Sequence, residues 1–321
     1  MHQNNIFMFS GQGSQNYHMG KQLYENNLMF RYWLDRLDEL YRQITGVSLV
    51  KEMYNPPNKR EVFSNIIMTH PGIFMVEYAL ARTLIEDGII PDYVIGTSVG
   101  EYAASAIAGC ITYEEALYSL IEQSQQLLRL APKGKMVSVL THIDVYNKME
   151  LLQEITSLVS INFPKNFTIA YLESNGKLIE KALKDIGALI YILPVEYAFH
   201  SKFIDEIKHS YKCVLDKIQY RKPEIPLVSC VSGQIEKQLN TYYLWDVVRQ
   251  PIQFSKALKN LINNDDEFAF IDVGPSGTLY NFTKYNLKDT DGISLHMILT
   301  PYHKDIENYN NTVDKLYSRR K

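Results

Sequence analysis

Three runs of apolar residues each lead into a glycine-containing turn. Ile6-Phe7-Met8-Phe9 precedes Gly11-Gln12-Gly13-Ser14-Gln15, and Tyr93-Val94-Ile95-Gly96 precedes Thr97-Ser98-Val99-Gly100. Residues 268–273 precede Gly274-Pro275-Ser276-Gly277. Short, continuously apolar runs bounded by turn residues read as strands buried on both faces. Between them, residues 70–86 and 114–130 read as helices. In the second helix, about 100° per residue puts Ala116, Leu117, Leu120, Ile121, Leu127 and Leu128 on one face. Gln123 falls at the edge of that face and Arg129 on the far side. Strands alternating with helices predict a largely parallel sheet with helices on both faces.

The middle of the chain follows a different pattern. Residues 136–140, 158–163, 167–172 and 189–195 read as strands, with the turn Pro164-Lys165-Asn166 between the second and third. Residues 145–154 and 177–186 read as helices. The order is βαββαβ, a ferredoxin-like arrangement that forms a small unit inserted into the larger one.

Composition narrows the function classes. The 321 residues are 46% hydrophobic and 21% charged, ordinary for a globular enzyme with a large core. A formal net charge of −3 gives no global attraction to nucleic acid or to an anionic membrane. Cys110, Cys213 and Cys230 are widely spaced, which argues against a disulfide framework or a zinc site and suits a reducing compartment. No secretory signal is visible, and the apolar stretch 93–112 is interrupted by Glu101. A cytoplasmic, membrane-free protein is expected.

Gly96-Thr97-Ser98-Val99-Gly100 matches G-x-S-x-G, in which a serine sits on a sharp turn from strand to helix. The flanking pattern supplies both the strand and the helix. The start of that helix and the amide of Val99 would offer half of an oxyanion hole. The serine needs a base, and the histidines are His2, His18, His70, His142, His200, His209, His296 and His303. An ordinary α/β hydrolase keeps its base late in the chain, which would favour His296 or His303. Position in the sequence leaves His200 and these two open.

Taken together, these residues resemble the malonyl-CoA:acyl carrier protein transacylases and the acyltransferases of polyketide synthases. Gly11 to Gln15 is similar to that family's GQGSQ, Gly96 to Glu101 to its GHSxGE, and Ala198-Phe199-His200-Ser201 to its AFHS. Asn162, Val248-Arg249-Gln250 and Gly274 to Gly277 also fall where the family has comparable residues. The resemblance spans nearly the whole chain. It implies an α/β-hydrolase-like catalytic domain from residues 1–134 and 199–321, with the ferredoxin-like unit at 135–198. It implies Ser98 as nucleophile, His200 as base, and the amides of Gln12 and Val99 as oxyanion hole. It also implies that backbone carbonyl groups near Gln250 orient His200, and that Asn162 and Phe199 touch substrate.

Two positions depart from the pattern. Thr97 replaces the histidine that usually precedes the nucleophile. Gln123 stands where malonyl-using relatives carry an arginine for the malonyl carboxylate. A carboxylate buried without a cation costs several kcal/mol, so Gln123 as a substrate-binding residue predicts a pocket for uncharged acyl groups. A dyad without that arginine resembles the acyl hydrolases of trans-acyltransferase polyketide assembly lines. The expected activity is hydrolysis of acyl thioesters on acyl carrier protein, with no metal or other cofactor. The expected partner is that carrier, with acyl-CoA as a further donor. Transfer of an acyl group to the carrier, a general esterase with a late histidine, and a non-catalytic carrier-binding scaffold remain as alternatives.

Overall fold

The apolar run at the start of the chain forms the centre of a parallel sheet. A computed structural model describes residues 3–58, 61–262, 267–287, 292–302 and 304–318. His303, one of the late histidines considered as a base, lies outside these residues. In chain order the described strands are β1 (Gln3–Phe9), β2 (Tyr93–Gly96), β3 (Gly134–Leu140), β4 (Ser157–Phe163) and β5 (Asn166–Leu172). They continue with β6 (Leu189–Ile192), β7 (Leu227–Val228), β8 (Ile235–Glu236), β9 (Glu267–Asp272) and β10 (Ile293–Met297).

The larger sheet has the order β10-β9-β1-β2-β7-β8. All its pairings are parallel except β7 with β8. Ile6, Phe7, Met8 and Phe9 of β1 are fully buried, because β1 has a strand on either side and helices over both faces. Phe7 and Phe9 point into one core and Ile6 and Met8 into another, the alternation that a period of two residues imposes. The smaller sheet, order β4-β5-β3-β6, is antiparallel throughout. Its first and third strands are central, as the ferredoxin-like reading requires. The molecule is thus an α/β fold with a second, ferredoxin-like sheet.

Several boundaries differ from expectation for local reasons. The helix read from residue 70 begins at Ile66, capped by the Asn65 side chain, and passes through Pro71. Pro71 has no N–H for the carbonyl of Ile67 four residues back, and the Tyr41 hydroxyl donates to that carbonyl instead, at 3.1 Å. The helix read over 145–154 is split at the extended Met149 into Asp144–Lys148 and Glu150–Ile155. Leu128, placed on a buried face, is exposed near the end of the helix Tyr113–Leu130, whereas Gln123 is buried.

One short segment joins the two sheets. Ile252 donates its amide to the carbonyl of Val159 at 2.7 Å and forms a parallel bridge with Ser160 on β4. Gln253 donates to the carbonyl of Cys230 at 2.7 Å.

Candidate active site

β1 and β2 are hydrogen-bonded neighbours, so the turns that follow them emerge side by side. Close approach at this edge requires glycine. A Cβ on Gly100 would lie 2.1 Å from the carbonyl oxygen of Phe9, and one on Gly11 would lie 2.8 Å from Ser98 Cβ. Between strand and helix, Ser98 has φ of 54°, in the left-handed region that a non-glycine residue seldom enters. That backbone lifts its hydroxyl out of the turn, ahead of the helix Gly100–Ile107.

His200 also has a left-handed backbone, φ 57°, and its amide donates to the carbonyl of Val248. The ring lies between two partners: Nε2 is 2.9 Å from Ser98 Oγ, and Nδ1 is 2.9 Å from the carbonyl oxygen of Gln250. A carbonyl can only accept, so Nδ1 carries the proton and Nε2 presents its lone pair to Ser98. Burial pushes the His200 pKa down to about 4, against the opposing effect of the Gln250 carbonyl. The neutral ring that a general base requires is therefore its resting form at neutral pH.

The Gln250 carbonyl is itself held in place. It follows the helix Tyr243–Arg249, and Tyr243 hydrogen-bonds Glu101 Oε2 at 2.7 Å while the Cys230 amide donates to Glu101 Oε1 at 2.6 Å. Glu101 is buried, which pushes its pKa up to about 8 against the opposing hydrogen bond that Tyr243 donates to it, so it keeps a proton at neutral pH.

A cavity of about 130 Å³ opens beside Ser98 and His200. Gln12, Thr97, Phe199 and Thr278 line one side, and Met136, Ser138, Thr168 and Leu193 of the smaller sheet's region line the other. Asn162 lines it too, hydrogen-bonded to Ser160, Asn166 and Thr168 at 2.6–3.1 Å. Among the described lining residues none is Asp, Glu, Lys or Arg. The wall is apolar with neutral hydroxyls and amides. Among the described residues, the amide N–H groups of Gln12 and Val99 donate to no protein acceptor.

Gln123 takes a position other than the expected one. It is 1% exposed and stands one side chain behind the cavity wall, because His70 lies between it and Gln12. His70 Nδ1 is 3.2 Å from Gln123 Oε1, and His70 Nε2 is 3.0 Å from Gln12 Oε1. Gln123 continues to the Tyr102 hydroxyl at 2.7 Å, which meets Tyr211 at 2.6 Å. His70 carried no special weight in the sequence. Its signal was a histidine inside an almost wholly apolar helical run, where a polar ring must find buried partners. His296 is on β10 with Nε2 3.1 Å from Ser294 Oγ, and the structure does not bring it to Ser98.

Among the described residues no helix is long and apolar enough to cross a membrane. The acyl transferase domain family model matches residues 6–321. The chain is 38% identical over 306 residues to the polyketide biosynthesis acyltransferase homolog PksD of Bacillus subtilis, covering 95% of this chain and 94% of that one. It is also 38% identical over 319 residues to the homolog BaeD of Bacillus velezensis, covering 99% of this chain and 98% of that one. Among solved structures, the acyl transferase domain of SpnD, in complex with 2-(pent-4-yn-1-yl)malonyl, superposes with a TM-score of 0.89 at 26% identity. That match covers 98% of this chain and 76% of the other. The malonyl CoA-acyl carrier protein transacylase of Clostridium perfringens shares the fold, with a TM-score of 0.82 at 21% identity, covering 99% and 98%. On these matches, and with the two sheets and the Ser98 turn arranged as described, the chain belongs to the acyl transferase domain family.

Proposed function

We propose that this protein hydrolyses acyl thioesters on acyl carrier protein in polyketide biosynthesis, through an acyl-Ser98 intermediate. The observation that carries the reading is the 2.9 Å contact between Ser98 Oγ and His200 Nε2, with the Gln250 carbonyl on the opposite ring nitrogen. His200 Nε2 takes the Ser98 proton as Oγ attacks the thioester carbonyl. The resulting oxyanion faces the amides of Gln12 and Val99, and removing a donor of this kind typically lowers kcat by ~10²–10³-fold. Collapse breaks the carbon–sulfur bond, and the leaving thiolate takes the proton from His200. Water then gives a proton to the same nitrogen, attacks the acyl carbonyl, and restores Ser98 as the carboxylic acid departs.

The charge-free cavity supports an uncharged acyl group over malonyl, and the hydroxyls of Ser138 and Thr168 offer sites for the second-step water. Transfer to a carrier thiol is the second reading, favoured by the names of the Bacillus relatives. Mass measurement of the carrier separates the two. Acetyl- or butyryl-carrier should return to the free-thiol mass, and free carrier with malonyl-CoA should gain nothing. Malonyl loading of the carrier would overturn the hydrolase reading.

A further inference from the structure

Behind the cavity wall lies a buried row of side chains that the mechanism leaves unused. It runs from Gln12 through His70 and Gln123 to Tyr102 and Tyr211, with successive polar atoms 2.6–3.2 Å apart. The row draws on five separate parts of the fold: the turn after β1 and the helices Ile66–Glu86, Gly100–Ile107, Tyr113–Leu130 and Lys208–Leu215. His70 is 2% exposed, and its ring lies 5.2 Å from that of Phe199, which lines the cavity. Its two nitrogens point in opposite directions along the row, one toward Gln123 and one toward Gln12.

We propose that His70 sets the pocket's preference for uncharged acyl groups: its ring fills the path between position 123 and the cavity, so that a cation placed at position 123 reaches the acyl group only when His70 is replaced as well. The proposal rests on the reading of Ser98 as acyl acceptor but not on the choice between hydrolysis and transfer. Three features of the row support it.

The first is space: Gln123 is bonded to one edge of the ring and Gln12 to the other, so the imidazole stands between position 123 and the cavity wall. The second is charge. An imidazolium would donate to both amides, but burial pulls the His70 pKa down to about 3, so the ring is neutral and has a single N–H. The Nδ1–H then donates to Gln123 Oε1, whose amide nitrogen is held by Tyr102, and the Gln12 carboxamide, turned to bring its Nε2 to the other ring nitrogen, donates there, which gives a row with no net charge. The third is connection. Gln12 belongs to the turn beside Ser98, so His70 braces the wall nearest the acyl carbonyl as well as blocking it. His70 is thus a positioning and specificity residue, distinct from the reacting pair.

The test is the rate of acylation of Ser98 itself, read by intact mass of the protein in rapidly quenched samples over the first turnover after mixing with acetyl-CoA or malonyl-CoA, with no carrier present. The wild type, Gln123→Arg and His70→Gln should each be acylated at least ~100-fold more slowly by malonyl-CoA than by acetyl-CoA, reflecting an unpaired carboxylate in the pocket. The pair His70→Gln with Gln123→Arg should narrow that ratio at least ~10-fold relative to either single variant, through a new cation within reach. Equal gain from Gln123→Arg alone would overturn the proposal, as would no gain in the pair while acetylation persists. Malonylation of the wild type that His70→Gln abolishes would also overturn it, because His70 would then be serving as the cation. If the pair also loses acetylation, His70→Ser with Gln123→Lys carries the same prediction. Absence of both an acylated protein mass and CoA release with either thioester would instead sink the Ser98 assignment.

Discussion

Two buried imidazoles, His70 and His200, lie near enough for the charge of one to disfavour charge on the other, yet their surroundings give them opposite characters. Burial keeps both neutral, with pKa values pushed down to about 3 and about 4. What separates them is the partner on each nitrogen. His200 has a backbone carbonyl that can only accept and a hydroxyl that can give up its proton, so one lone pair remains available for chemistry. His70 has a carboxamide at both ends, and each carboxamide can turn to satisfy whichever nitrogen faces it. The contrast shows that burial makes an imidazole neutral, while the donor and acceptor types around it make it a base or a strut.

The largest test of this contrast is removal of the proposed nucleophile or the proposed base. Ser98→Ala or His200→Ala should each lower thioester turnover by ~10⁴-fold or more, as when either member of a serine–histidine pair is lost. Release of free carrier thiol would report this, and His296→Ala should leave the rate unchanged. Persistence of activity in His200→Ala would break the comparison at its centre. A finer test is the pH profile. As the proposed base, His200 must be neutral to accept a proton, so kcat/KM on an acetyl thioester should rise with pH through an acid limb near 4. A limb near the ordinary histidine value of about 6.5 would mean that burial does not govern this ring.

The smallest effect concerns Glu101, which accepts from Tyr243 at the start of the helix that leads to Gln250. Its folded pKa is raised to about 8, so the stability it contributes is complete below the unfolded value and is lost as pH rises through 8. Over that window the wild type should lose ~1.4 kcal/mol per pH unit relative to Glu101→Gln, measured by denaturant unfolding. Parallel curves for the two proteins would show that Glu101 holds no extra proton in the fold.

Much of this arrangement was legible in the sequence because it depends on neighbours along the chain. β1, β2 and β9 are continuous apolar runs, and the turns after β1 and β2 show glycine where a side chain would strike Phe9 or Ser98. The two-residue strands β7 and β8 could not be read, since neither is long enough to show a period. Helix arithmetic put Gln123 at the edge of a buried face, and it is buried. The same arithmetic was silent on what that face meets. Only the fold brings His70 between Gln123 and Gln12, residues 53 and 58 positions away from it. Pairing His200 with Ser98, 102 positions apart, relied on family resemblance, since spacing alone favoured no one histidine.

The segment from Gln250 to Gln253 connects three parts of the molecule within a few peptide units. Its first carbonyl fixes the tautomer of His200, its Ile252 amide stitches to the edge of the smaller sheet, and its last amide is anchored beside Cys230. Swinging the smaller sheet outward to admit a bulky cargo would therefore tug on the very atom that cocks the imidazole. The peptide units that join the two sheets are thus the same ones that hold the imidazole's orientation.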